Sequence, residues 1–476
     1  MTGPRRYTRW LIVGLFLAVA GRPGIRQVQE FCPLLRPPSL LNAQGRAPDV
    51  PKVPFELYTL PNGLEVILSQ DRRLPMVAVN LWYHVGPANE AQGRTGFAHL
   101  FEHMMFQGSE NVGRGEHADL VEINGGGLGG VASVDQTHFY QTLPANQLDL
   151  ALFLEADRMQ SLDISQTNLD AQRAVIREER RTLYENLPYG LTDEKVTEAV
   201  YDSFEYGHAP VGPMDDLDSA TLEDVRDFYA VYFAPNNAVL ALVGDFESAE
   251  ARTRIEHYFG DIPSGSDPPG VVVNEPPQNA ERRTSFDDQL AQLPRLDIAY
   301  RVPPGNTPQW YVLAVMGDIL AAPGTGRLHR MLIDDAGLAV AVGGGIDERR
   351  GNSMFRISAI PVPGTPVEEL ESIIVEAIET LRVELVEEVE LEIVRTKLEL
   401  AEAESARSTL SRAISLATNM VFYNDPDVIN RTGDMLSGIT PESLLGTTNL
   451  YLRETNRTVV VTLPTGERNV IGGPRL

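Results

Sequence analysis

The stretch His99-Leu100-Phe101-Glu102-His103 holds the residue types and spacing best suited to chemistry. Residues four apart share a helix face, so two imidazoles would stand one turn apart with a carboxylate between them. Such a pair suits zinc, and the carboxylate can move protons to and from an attacking water. Glu102 is three residues from His99 and next to His103, placed as a base more readily than as a ligand. Two histidines do not complete a catalytic zinc site, which needs a third protein ligand and an open position.

Candidates for that third ligand lie further along. Glu179 sits in Val175-Ile176-Arg177-Glu178-Glu179-Arg180-Arg181, on a long helical stretch. Helical spacing puts Glu179 on the face of Val175, taken as inward-facing, and rotates Glu178 off it. Glu178 is the direct rival, and His84, His117 and His138 are weaker ones. With eight histidines in the chain, a chance pentad on a solvated helix face is the bland alternative.

The elements that would position these residues are legible in outline. Phe55–Leu60 and Leu64–Leu68 flank Asn62-Gly63, a tight-turn signal, and read as a hairpin. Met76–Val85 is a longer strand ended by Gly86-Pro87, and Thr95–Phe106 is the helix that carries the pentad. Asn124–Gly130 holds five glycines in seven residues and cannot be a stable helix. It lacks the Lys-Ser/Thr of a nucleotide loop and reads as an approach to an edge strand at Val131–Leu143. Such an edge could take an extended peptide by strand addition. Helical and strand patterns of the same kind follow Pro263–Asn279, a stretch rich in Pro, Gly, Ser and Asp.

Composition bounds the rest. The 476 residues exceed one ordinary core and predict about two to four domains. A net charge of -26 excludes a nucleic-acid binder and suits a basic substrate or simple solubility. A single cysteine, Cys32, allows no intramolecular disulfide. Arg5, Arg6 and Arg9 precede an apolar run, Trp10–Ala20, that ends in Ala18-Val19-Ala20. This predicts an export signal at 1–20, hence a periplasmic or secreted protein without stable membrane insertion; an uncleaved anchor is the rival. Residues 21–51 read as a flexible linker. The organisation expected is α+β: two domains of similar design, 52–265 and 285–470, joined by a linker at 266–284.

A family resemblance narrows this. Leu60-Pro61-Asn62-Gly63-Leu64, Gly96 through Gly108, Asp135 through Tyr140 and Leu154 through Met159 each resemble blocks of the pitrilysin-type inverted zinc peptidases. So do Glu179-Arg180-Arg181 through Gly190, Pro235-Asn236-Asn237-Ala238 and Tyr258-Phe259-Gly260. This is the insulinase-like family M16, with two-domain bacterial relatives of mitochondrial processing peptidase. The resemblance implies two homologous domains, each a mostly antiparallel sheet packed with helices, in the LuxS/MPP-like metallohydrolase fold. It implies one zinc per chain, held by His99, His103 and Glu179, with Glu102 as the base of a metalloendopeptidase acting on unfolded or extended polypeptides. Gln172 falls where some members carry a supporting glutamate.

Two departures stand out. Gly129 occupies the approximate place of an asparagine that helps hold the peptide. The arginine and tyrosine that polarise the scissile carbonyl are not evident, and Arg356 has no tyrosine partner. The resemblance therefore implies a zinc-less homologous subunit in a heterodimer, with a homodimer as alternative. The rival function is a non-catalytic chamber subunit that retains its zinc.

Overall fold

The computed structural model describes residues 52–465; the expected signal peptide, the linker that follows it, and Cys32 lie outside them. Among the described residues no helix is long and apolar enough to cross a membrane. The first half is built on six strands: β1 (Glu56–Thr59), β2 (Glu65–Gln70), β3 (Met76–Tyr83), β4 (Gly127–Ser133), β5 (Gln136–Pro144) and β6 (Ala238–Gly244). They lie in the order β1-β2-β6-β3-β5-β4, antiparallel except for the β2–β6 pair. The second half uses β7 (Arg282–Asp288), β8 (Arg295–Val302), β9 (Ala339–Asp347), β10 (Ser353–Pro361) and β11 (Arg457–Pro464). Their order is β7-β11-β8-β10-β9, with only β7–β11 parallel. Apart from β1, which has no counterpart, the two sheets repeat one topology, so the expected pair of homologous α+β halves is present.

Each sheet packs one face on its own half's helices, forming two separate apolar cores. The opposite faces are covered reciprocally. Helix Thr409–Tyr423, from the second half, lays Ala413, Leu416, Ala417, Met420 and Val421 on Ile67, Ala78, Trp82, Val239, Ala241 and Val243 of the first sheet. Helix Thr192–Val200, from the first half, lays Val196 and Val200 on Ala299, Met354 and Val460 of the second. Burial on both faces explains why β6 reads Ala-Val-Leu-Ala-Leu-Val-Gly without polar alternation and is buried throughout.

Four elements differ from the sequence expectation. Val131–Leu143 is not one strand: Val134-Asp135 turns it, and the glycine-rich stretch is itself the edge strand β4. Its glycines make room for side chains of β5. A Cβ on Gly129 would lie 2.5 Å from the Tyr140 hydroxyl, and one on Gly130 would lie 2.9 Å from the Phe139 ring. β7 begins inside the expected linker; its sequence, Arg-Arg-Thr-Ser-Phe-Asp-Asp, hides it because parallel pairing to β11 supplies order that apolar alternation does not. Helix Thr192–Val200 carries too few apolar residues to stand out. The long helical stretch around Glu179 starts at Gln166, where the Ser165 side chain accepts from Asn168 N–H, and gives way to a π-helical turn at Arg180–Glu185.

Candidate metal centre and its support

The pentad lies on helix Phe97–Met104. Its N-cap, Gly96, has φ +86° and no capping side chain of its own; a Cβ there would also meet the Val211 carbonyl at 2.7 Å. Glu90 serves as the cap instead. Its carboxylate is fully buried and accepts from Gly96 N–H at 2.9 Å and Ala98 N–H at 2.8 Å. A carboxylate on free N–H groups at a helix start stabilises that end by about 0.5–2 kcal/mol. On its other side Glu90 faces His208 Nε2 at 3.2 Å. The Thr95 hydroxyl donates to Asp216 at 2.7 Å, fixing the approach to the helix.

Helix Gln166–Glu179 delivers the third ligand. His99 Nε2 and His103 Nε2 are 3.3 Å apart, and Glu179 Oε2 is 3.4 Å from the first and 3.0 Å from the second. Zinc bonds near 2.0–2.1 Å in a tetrahedron require ligand atoms about 3.3–3.4 Å apart, so the donor set fits a single zinc. Among the described residues these three form the one cluster of metal-binding type. Burial disfavours a proton on His99, yet Glu102 and Glu179 overcome it and push that histidine up to about 9. His103 and His99 in turn hold Glu179 well below the usual carboxylate range. A pocket that favours positive charge this strongly suits a cation.

Glu102 stands outside the triad. Its Oε2 accepts from Ala132 N–H of β4 at 2.9 Å and lies 3.5 Å from His99 Nδ1. It therefore steadies the ring nitrogen of His99 that faces away from the other ligands, and is itself fixed by the edge strand.

The competing ligands are elsewhere. Glu178 is exposed and pairs with Arg181 at 3.1 Å. His117 packs edge-on against Phe106, with burial driving it down to about 2; His138 stacks on Trp82 at 4.0 Å and is driven to about 4. His84, also pushed by burial to about 4, is likewise outside the cluster. Val175 does not face inward as expected: it is 46% exposed. The inward stripe is Leu169, Gln172 and Ile176, and Glu179 continues it one turn on. Arg356 is not a free strand residue; Asp297 holds it at 2.7 Å and Asp193 at 2.8 Å. Sequence reasoning also passed over Tyr184, a half-buried phenol five residues after Glu179 within the π turn. Burial, then the charges of Glu179 and Glu102, raise it above the usual phenol range. Glu90 gave no signal because nothing in its neighbourhood marks an acid as buried.

Fold and site together define an α+β zinc metallopeptidase whose metal-ligand cluster, among the described residues, lies in the first half. Two family descriptions match in succession: "Insulinase (Peptidase family M16)" over residues 65–213 and "Peptidase M16 inactive domain" over residues 219–398. The chain belongs to the M16, insulinase-like peptidase family, and its His99–His103–Glu179 cluster is poised to bind the catalytic zinc of that family's metalloendopeptidases, which act on peptide or protein substrates. It is 28% identical to "Zinc protease PqqE" of Helicobacter pylori over 323 residues, 67% of this chain and 73% of that protein. It is also 28% identical to "Mitochondrial-processing peptidase subunit beta" of Bos taurus, over 47% of this chain and 45% of that one. The crystal structure of a protease from Helicobacter pylori superposes with a TM-score of 0.84 at 26% identity, covering 87% of this chain and all of that one. A structure described as a peptidase M16 inactive domain, from Pseudomonas fluorescens, shares the fold with a TM-score of 0.78 at 20% identity, covering 89% of this chain and all of that one.

Proposed function

We propose that this chain is the zinc-bearing subunit of a periplasmic or secreted endopeptidase, with Glu102 as general base and acid on extended polypeptides. The observation that carries the reading is the placement of Glu102 against Ala132 N–H and His99 while three ligand atoms converge beside it. A bound zinc supplies Lewis acidity, lowering the pKa of water and stabilising charge on the scissile carbonyl oxygen. Glu102 takes the proton of the attacking water and passes it to the leaving amine. The edge strand β4, which also holds Glu102, offers backbone groups to an extended substrate; Gly129 leaves the space opposite to Tyr140 in place of a longer side chain.

The proposed domain limits of 52–265 and 285–470 are supported by the presence of two separate sheets; β7, of the second sheet, starts at Arg282 within the expected linker. The engagement of Arg356 supports a zinc-less homologous subunit as the source of a carbonyl-polarising arginine; a homodimer is the alternative. The basic-then-apolar start of the chain supports export. Purification of the native assembly tests all of this. One zinc per chain, a homologous second subunit and peptide cleavage lost on chelation are expected. A metal-free assembly that cleaves peptides, or a zinc-loaded assembly that cleaves none, would overturn the reading.

A further inference from the structure

The second half reaches the first beside β4. The β4–β5 turn, Val134-Asp135, is held from two sides. The Val134 carbonyl accepts from Ala88 N–H at 2.9 Å. The Asp135 carboxylate, 6% exposed, accepts from Arg350 N–H at 2.9 Å and from the Tyr206 hydroxyl at 3.0 Å. Gly351 N–H donates to that same hydroxyl at 2.7 Å. Arg349, buried, donates to the Tyr206 carbonyl at 3.2 Å, and its guanidinium lies over Tyr201 at 4.2 Å and Tyr206 at 4.9 Å. Arg349, Arg350 and Gly351 form the turn between β9 and β10, so the contact joins the two halves.

We propose that Asp135 and Tyr206 are positioning residues through which the β9–β10 turn sets the register of β4, and through Ala132 N–H the placement of Glu102. Ala132, in β4, lies three residues before Asp135 of the adjoining turn, and its N–H donates to Glu102. A buried carboxylate that loses a donor is costly, so the Arg350 N–H and the Tyr206 hydroxyl together hold the turn in place. The second half thereby acts on the base through the β9–β10 turn. The inference rests on the assignment of Glu102 as base.

Tyr206→Phe tests it, since the ring that packs under Arg349 is retained and only the bridging hydroxyl is lost. The full chain is compared with the variant by zinc content and by hydrogen exchange at single amides. The expected result is one zinc per chain in both, with Ala132 N–H exchanging about tenfold or more faster in the variant. Unchanged exchange at Ala132 would overturn the proposal. If Tyr206→Phe fails to fold, Asp135→Asn, which keeps size and acceptor geometry at one oxygen, carries the same readout. In the active assembly, kcat falls about tenfold while KM changes less than about twofold; a rise in KM alone would contradict a route through Glu102. Glu102→Gln, assayed in parallel, separates the two claims: undiminished hydrolysis there would sink the base assignment, while the Ala132 exchange result stands on its own.

Discussion

The two halves wrap the same strand order around different contents. Between β3 and β4, the first half places the short helix Phe97–Met104, which spends buried positions on His99 beside Phe97, Leu100, Phe101 and Met104. At the same point between β8 and β9, the second half places Pro308–Ala321, whose buried residues Tyr311, Val312, Leu313, Val315, Met316, Ile319 and Leu320 offer no ligand. The catalytic half thus gives up apolar packing for metal, and recovers its helix start through Glu90. The other half keeps an apolar buried face on Pro308–Ala321, covers the first sheet with Thr409–Tyr423 and grips the β4–β5 turn. One topology therefore serves as site in one copy and as scaffold in the other.

The sharpest break of that comparison is a matched pair of truncations. His103→Ala should lose stoichiometric zinc and all measurable hydrolysis with a modest change in stability, read by metal analysis and peptide assay. Leu313→Ala in the second half should cost about 2–5 kcal/mol of unfolding free energy yet keep one zinc per chain. Next is the exchange of helices between halves. Leu416 is fully buried against the first sheet, so Leu416→Ala should cost about 2–5 kcal/mol, and calorimetry should show both halves melting together at a lower temperature. Two separate transitions would mean the halves are not coupled.

Smaller effects probe the edge strand and the helix cap. Gly129→Asn should destabilise by about 1–3 kcal/mol because its Cβ meets the Tyr140 phenol, and Tyr140→Ala should recover much of that loss. The smallest effect concerns His208. Burial opposes its protonation, but Glu90 and the Phe204 carbonyl outweigh this and raise it above 6.5. Its contribution to stability is complete below 6.5 and is lost as pH rises through the raised folded value. His208→Gln should therefore flatten the fall in stability over that window, as read by urea midpoints at several pH values.

What was legible follows from the range of each interaction. The pentad is a local object: helical spacing alone puts His99, Glu102 and His103 together. Glu179 depends on which face of a distant helix turns inward, and Val175 misleads there because a lone valine can stand exposed; the family resemblance identified the ligand that periodicity left open. β4 was hidden because strands are sought by side-chain pattern, and its glycines exist to accept side chains from β5. Asp135, Tyr206 and Arg349 lie far apart in the chain, and nothing near any of them predicts the meeting. The reciprocal helix packing is hidden for the same reason, while β6, continuous in apolar residues, was legible as doubly buried once the sheet was known.

The central claim is that the metal triad and Glu102 have separable roles. Glu102→Gln keeps the shape of the side chain and can still accept from Ala132 N–H, but it cannot take a proton. Zinc content and hydrolysis measured on the same preparation should show one zinc per chain and a rate lower by about 10²–10⁴-fold. Hydrolysis at the wild-type rate, or loss of the zinc itself, would contradict the account.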